Sequence, residues 1–392
     1  MTFKRGKLAQ SMAEQLMKPS FLDQSLRSGL FLSGQRRVGK TTFLANDLIP
    51  ALQALGALVI YVDLWSQPDA NPGDLVHDAI KRALKDLQTP GSAVVAGLRR
   101  LQGVDVGAAA FKFGFKLADL GKEGGVSLAQ AFTEVVKLAK TNVVLIVDEV
   151  QHALGKPDGD NLLLALKAAR DAINTRPDPP GYFLFIGTGS HRARVQELAV
   201  KGKQAFNGAI TQDFPVLEKD FVVDVLRQIG NALGANTPSV DAVYQAFQNL
   251  GHRPEELMKA LNVLRELPPG IQQDEHLLTI SATLRSRAAD LELQRIDNLG
   301  PLARAIFARI CGLGGDVKGV FSADAVESYA TQLGRKVSRD EVQPMVNALM
   351  DDNLLMRVKH GHYGVTDAFI ETAWNEREQA SKALRLGGLA GS

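Results

Sequence analysis

The sequence predicts an α/β protein: a parallel sheet flanked by helices in the first half, then a run of helices and a small terminal unit of helices and short strands. Three observations predict it. Apolar runs of strand length, at residues 58–63, 143–147 and 182–186, alternate with stretches of helical spacing, the pattern of right-handed βαβ units. Gly34-Gln35-Arg36-Arg37-Val38-Gly39-Lys40-Thr41 lies between a short apolar run, 30–32, and a helical pattern, 42–55. The apolar run 143–147 is uninterrupted and ends in Asp148-Glu149, as suits a central parallel strand buried on both faces.

The 392 residues exceed one ordinary core, so two or three domains are expected. Lys and Arg number 45 against 43 Asp and Glu, which excludes a global field directed at nucleic acid or membrane; a basic surface has to be local. Cys311 is the single cysteine, which excludes a disulfide framework and fits a reducing compartment. Lys4 and Arg5 precede no long apolar run, and no apolar stretch reaches bilayer length. A cytoplasmic protein without a membrane partner is the expectation.

Taken in order, residues 8–17 have helical spacing, Pro19 ends them, and a second short helix is expected at 20–27. These either wall a base pocket or cap the sheet. Next comes the strand at 30–32 and G-x-x-x-x-G-K-T, the phosphate-binding P-loop. Gly34 and Gly39 permit backbone angles that a Cβ resists, so the N–H groups of Gln35, Arg36, Arg37, Val38, Lys40, Thr41 and Thr42 can face an anion at a helix N-terminus. Lys40 offers an ammonium to the β- and γ-phosphates, and Thr41 a hydroxyl to Mg²⁺. After the strand at 58–63, Asn71-Pro72 opens a helix with Leu75, Val76, Ile80, Ala83, Leu84 and Leu87 on its buried face.

Phe111, Phe113, Phe115 and Leu117 alternate with Lys112, Gly114 and Lys116, predicting a half-buried strand with Val104 and Val106 as its hairpin partner. That strand either covers the core or presents Lys and Phe to nucleic acid. A helix at 127–140 precedes the strand ending at Asp148 and Glu149. At the carboxyl edge of an open sheet, Asp148 fits the metal-holding carboxylate beside Thr41, and Glu149 fits the group that polarises an attacking water. The helix 161–174 and the strand 182–187 come next. That strand ends in Thr188 and Ser190, of which Thr188 is the first candidate to hold the water. A weaker fifth strand spans 209–216.

Beyond Pro215 the pattern is helical: 218–232, 240–250 and 254–267, closed by Pro268-Pro269-Gly270. The terminal order is helix 301–311, strand 317–321, helices 322–333 and 338–351, then strands 354–359 and 363–366 around His360-Gly361-His362, a winged-helix order. The two histidines lack the further ligands of a metal site. Residues 387–392 are expected to be a disordered tail. The predicted third helix of this unit carries Asp340, Glu341 and Asp351 against Arg339, while Arg335, Lys336, Arg357 and Lys359 flank it. Such a distribution suits phosphate contact by the rim without base readout, or a protein-binding surface.

The spacing G-Q-R-R-V-G-K-T-T, L-I-V-D-E-V-Q-H, F-I-G-T-G-S and G-H-R-P-E-E-L, with the winged-helix order, resembles the AAA+ and STAND-related P-loop ATPases, nearest the archaeal-type and origin-recognition classes. The resemblance covers about residues 20–375. It implies an αβα sandwich with five parallel strands ordered 5-1-4-3-2, an ATPase core at 1–216, a helical lid at 217–295, a winged helix at 296–378 and a tail at 379–392. It implies ATP and Mg²⁺ as cofactors, Asp148 and Glu149 as the Walker B pair, and Thr188 as sensor 1. Arg253, in the turn opening a lid helix, would be sensor 2 against the γ-phosphate. A neighbouring subunit's arginine finger would come from between the fourth and fifth strands, where Arg192 and Arg194 lie. Residues 205–208, Ala-Phe-Asn-Gly, lack the arginine that STAND relatives often carry. The implied activity is an oligomeric ATPase that remodels or loads a protein or DNA partner; the alternatives are a nucleotide-gated switch acting on a protein effector, or a DNA-binding module with a vestigial ATPase.

Overall fold

The computed structural model describes residues 3–19, 25–67, 70–89, 92, 95–96, 113–122, 124–154, 157–190, 195–196, 198–199, 205–268, 272–314, 317–359 and 361–389. The chain divides into two compact units, Met1–Pro215 and Val216–Ser392.

The first unit is built on five parallel strands: β1 (Leu30–Ser33), β2 (Leu58–Asp63), β3 (Val143–Asp148), β4 (Phe183–Gly189) and β5 (Ile210–Asp213), in the order β2-β3-β4-β1-β5. This is the expected 5-1-4-3-2 order read from the other edge. β3 and β4 are buried along their full length, because helices cover both faces of the sheet. Between sheet and helices, Phe31, Phe185 and Phe206 interlock with ring centroids 4.4–5.6 Å apart. Gly187 lets this cluster close, since a Cβ there would lie 2.7 Å from the Phe31 ring.

The helix after β1 is not uniform. It runs as α2 (Lys40–Phe43), a π turn (Leu44–Leu48) and α3 (Ile49–Ala54). Pro50 explains the wide turn: it has no N–H to give to the carbonyl of Asn46, four residues back, and its ring would crowd that carbonyl in a regular ladder. Ile49 N–H reaches back to Leu44 O, and the carbonyl of Asn46 accepts from Lys4 Nζ at 2.7 Å instead. The N-terminal helix α1 (Gly6–Met17) packs on this segment, and the Arg5 guanidinium lies over the Phe43 and Phe214 rings. Of the second short helix expected at 20–27, a 3-10 turn at Ser25–Ser28 is seen, and residues 20–24 lie outside the described residues.

Asn71 caps α4 (Pro72–Gln88) by accepting from Gly73 N at 2.7 Å. Ser127 and Gln130 form a reciprocal capping box on α5 (Leu128–Ala139); each such cap contributes about 1 kcal/mol. The layers are completed by α6 (Pro157–Asn174). The aromatic strand expected over 111–117 is not formed in its described part. Phe113 to Lys116 make a bend and Leu117–Asp119 a 3-10 turn. The rings of Phe113 and Phe115 stack on one another 5.5 Å apart and pack on the core, which produces the same sequence alternation without a ladder. Val104, Val106, Phe111 and Lys112 lie outside the described residues.

The second unit opens with α7 (Lys219–Leu233), α8 (Val240–Asn249) and α9 (Pro254–Arg265). It continues through α10 (Gln273–Asn298), a 26-residue helix that the sequence pattern does not predict. α10 packs on α8 and α9 early in its length and on later helices toward its end. The boundary expected between 295 and 296 falls inside it. Then come α11 (Pro301–Gly312), β6 (Val317–Lys318), α12 (Ala323–Leu333), α13 (Arg339–Asp351), β7 (Leu355–Lys359), β8 (His362–Val365) and α14 (Ala368–Leu389). The three strands form an antiparallel sheet, β6-β8-β7. The disordered tail expected from 387 needs correction: the backbone is helical to Leu389. Phe307, Tyr329 and Trp374 anchor the core of this part.

Candidate functional site

The carboxyl ends of β1, β3 and β4 bring the predicted groups together. β1 runs between β4 and β5, so the loop after it starts inside the sheet, one strand from the β5 edge. There Gly34 N bonds to Gly189 O at 3.2 Å. A Cβ on Gly34 would lie 2.9 Å from Phe214 Cβ, so the loop's first residue is held to glycine by β5's exit. Arg37 and Gly39 both have positive φ, 67° and 89°. That alternation turns successive N–H groups into a concave anion nest before α2 starts. Val38 is buried beneath the loop.

Lys40 is 6% exposed, and its Nζ donates to the carbonyls of Gly34 and Gln35, both at 2.6 Å. An ammonium has three donors, so one remains for an anionic oxygen. Burial holds its pKa below the ordinary lysine value; the Glu149 and Asp148 charges oppose that shift and Arg36 reinforces it. A phosphate placed in the nest would offset the burial cost.

Asp148 gathers the hydroxyls of three elements. Thr41 Oγ1 donates to its Oδ2 at 2.7 Å and Tyr61 Oη to the same oxygen at 3.2 Å. Thr188 Oγ1 donates to Oδ1, which also accepts Glu149 N at 3.0 Å. Burial and the Asp148 charge push the Tyr61 hydroxyl's pKa well up, so it is a donor at any physiological pH. A hydroxyl and a carboxylate side by side are hard oxygen donors, the small protein share that Mg²⁺ takes when phosphate oxygens and water complete its octahedron. The residues present therefore fit Mg²⁺, which Thr41 and Asp148 would hold. Among the described residues no cluster of three or more His, Cys, Asp or Glu forms an all-protein metal site.

Glu149 leaves β3 with φ 53°, a left-handed turn, and its carboxylate has hydrogen-bond partners of its own. Its Oε2 accepts from Ser190 Oγ at 2.8 Å, from Ser190 N at 3.3 Å and from the Gln151 amide. Arg36 Nε in turn reaches Ser190 Oγ at 3.4 Å. The Arg36 guanidinium lies over the ring of Trp65, a residue 49% exposed, and that ring packs on His152 with centroids 4.5 Å apart. Asp63, the strand neighbour of Asp148, has its carboxyl pKa raised, chiefly by burial, with the Trp65 backbone N–H opposing and the Asp148 and Glu149 charges adding.

Lys40, Thr41, Asp148, Glu149 and Thr188 thus converge, as their spacing predicts. Ser190, the second choice of hydroxyl, is the one that touches Glu149, while Thr188 serves Asp148. Tyr61, Gln151 and Asp63 were not singled out by the sequence. Arg192 and Arg194 lie outside the described residues. Arg253 lies in the second unit, capping α9 without a side-chain cap bond. Its guanidinium is paired with Asp367 at 2.5 Å and stacked over Phe369. His360 lies outside the described residues.

The order β2-β3-β4-β1-β5 with helices on both faces is the α/β fold of P-loop ATPases. The Walker-type ATPase PABY2304 of Pyrococcus abyssi is similar over 95% of this chain and 97% of its own, with a TM-score of 0.58 and 17% identity. The ORC2 protein of Aeropyrum pernix, in its ADPNP-ADP complexes, matches over 95% and 94% with a TM-score of 0.51 and 14% identity; its ADP form gives 0.52 at 13%. No protein-family model and no curated protein matches the sequence. No helix among the described residues is long and apolar enough to cross a membrane.

Proposed function

We propose that the protein is a Mg²⁺-dependent ATPase of AAA+ type. Its nucleotide state would govern self-assembly and the remodelling or loading of a protein or DNA partner. The observation that carries this reading is the Thr41–Asp148 hydrogen bond at 2.7 Å, with a buried Lys40 beside it and Glu149 one residue on. The nest from Gly34 to Lys40 would bind the phosphates. Thr41 and Asp148 would hold the metal ion, which would supply charge neutralisation to the bound phosphates, and Glu149 would take the proton of the attacking water. The ADPNP-ADP complexes of the similar ORC2 protein support a nucleotide in this fold. In this reading α7–α9 would form a lid and the element order α11-β6-α12-α13-β7-β8 a winged helix, with α10 continuous across the boundary expected at 295–296.

One observation favours a second reading, a nucleotide-gated switch with slow turnover that signals to a protein effector. Residues 205–208, Ala-Phe-Asn-Gly, carry no arginine ahead of β5 to stabilise charge on the transferred phosphoryl group. Multiple-turnover hydrolysis of ATP with and without duplex DNA, in wild type and Glu149→Gln, separates the two. Turnover that DNA accelerates supports the first; a single slow turnover indifferent to DNA supports the switch. Turnover unaffected by Glu149→Gln contradicts the site assignment itself.

A further inference from the structure

We propose that Gln151 is a positioning residue for Glu149: its amide, with Ser190, fixes one carboxylate oxygen and so presents the other to the substrate water. This rests on the reading of Glu149 as the base.

Gln151 lies in the turn after β3, and its Nε2 is in hydrogen-bond reach of both Glu149 Oε2 and Ser190 Oγ, the latter at 3.3 Å. Its own carbonyl, Oε1, is buried and has no hydrogen-bond partner. An unpaired buried carbonyl is costly. Flipping the amide would aim that carbonyl at the Glu149 carboxylate, where two acceptors repel, so the observed orientation is the one the glutamate dictates. The space around the amide is reserved as well. A Cβ on Gly189 would stand 2.1 Å from Gln151 Oε1, so glycine at the end of β4 leaves the glutamine its place. Ser190, 4% exposed, adds two donors to the same Oε2. With Oε2 saturated, Oε1 of Glu149 is the oxygen left to accept a proton. A carboxylate held at one oxygen cannot rotate away from the water, and a misplacement of about 1 Å costs on the order of 100-fold in rate.

The test uses the full chain with Gln151→Leu and Gln151→Met, both of which keep a side chain of similar size and remove the donor. Both are expected to lower kcat for ATP by about 100-fold with KM and the affinity for ADPNP unchanged. Combining Gln151→Leu with Glu149→Gln should be no slower than Glu149→Gln alone, since the two act as one unit. A crystal structure of nucleotide-free Gln151→Leu should show the Glu149 carboxylate released from Ser190. Wild-type kcat in both variants, additive losses in the double variant, or a Glu149 carboxylate unmoved on Ser190 would each overturn the proposal. If Glu149→Gln itself hydrolyses ATP at the wild-type rate, the reading of the base fails first and the positioning role falls with it.

Discussion

The Arg253 guanidinium and the Asp367 carboxylate form an ion pair at 2.5 Å, with both side chains largely withdrawn from solvent. Asp367 also caps α14 by accepting Phe369 N at 2.9 Å, and Phe369 lies beneath the guanidinium, 4.1 Å from ring centroid to Cζ. The pair therefore ties the start of α9 to the start of α14 within the second unit. Removing one partner of a buried pair leaves the other charge uncompensated, so Arg253→Ala is predicted to cost about 3–5 kcal/mol in urea unfolding. Asp367→Ala should cost comparably, and the double variant less than the sum of the two. A loss within about 0.5 kcal/mol of zero, the size of a surface substitution, would contradict burial of the pair. If Arg253 also serves nucleotide, Arg253→Ala lowers hydrolysis while ADP affinity persists; equal loss of ADP and ATP binding assigns it to the fold alone.

Lys40→Ala is predicted to abolish ATP binding. At ATP 100-fold above Kd the wild-type protein gains about 2.7 kcal/mol of stability, read as an upward shift of Tm. The variant should show no shift, because the loop loses its one ammonium. A retained shift would place the nucleotide elsewhere.

Glu149→Gln should bind ATP as wild type and turn over at least about 100-fold more slowly, the range expected for loss of a general base. Phosphate release under multiple-turnover conditions, alongside ADPNP affinity, reads both quantities.

Asp63 supplies a pH test. Its folded pKa lies above the ordinary carboxylate value, mainly through burial, so the folded state binds the proton more tightly than the unfolded state. Its contribution is favourable at low pH and is lost as pH rises through the folded pKa. Asp63→Asn, which still accepts from Trp65 N through its side-chain carbonyl, is predicted to raise Tm at neutral pH. The gain should shrink on acidification through the carboxylate range. A gain that persists at low pH would show that charge at Asp63 is not the cause.

DNA binding by the C-terminal unit is predicted to be weak, steeply salt-dependent and indifferent to sequence. On α13, Gln343 bonds to Asn347 and the capping Glu341 takes Arg335 at 2.8 Å. The helix thus presents polar groups already engaged with one another and carries its own negative charge. Arg357→Glu with Lys359→Glu should remove binding, and Asn347→Ala should not alter it. Titration of fluorescent duplexes of unrelated sequence across a salt series decides it; a salt-resistant preference for one sequence that vanishes in Asn347→Ala would refute the prediction.

The strands were legible because burial on both faces leaves continuous apolar runs, and the phosphate loop because its chemistry fixes both residue types and spacing. Lys40, Thr41, Asp148 and Glu149 follow from that alone. Ser190 was visible as a hydroxyl at a strand end, but its contact with Glu149 was not; Tyr61 and Gln151 reach Asp148 and Glu149 from other segments, and a single hydroxyl or amide leaves no pattern in a chain. α10 escaped because its buried positions do not form one stripe: Leu293 and Ile296 join the core cluster of the C-terminal elements, whereas Leu277 and Ser281 are buried outside it. Phe113 and Phe115 misled for the opposite reason, two stacked rings in a bend imitating a strand's alternation.

The wide turn at Leu44–Leu48 means that the helix after the phosphate loop contains one residue more than its ladder requires. Shortening the chain by one residue there would restore regular winding and keep Leu48 and Leu52 on their buried face, whereas a deletion further along would swing the remainder of the helix by about 100°. Regular winding, however, would set Pro50 against the carbonyl of Asn46, a clash of about 3 kcal/mol. The additional residue and the proline are therefore matched. A homologue lacking one should lack the other, and Lys4, bonded to that same carbonyl, would then lose its acceptor to the helix.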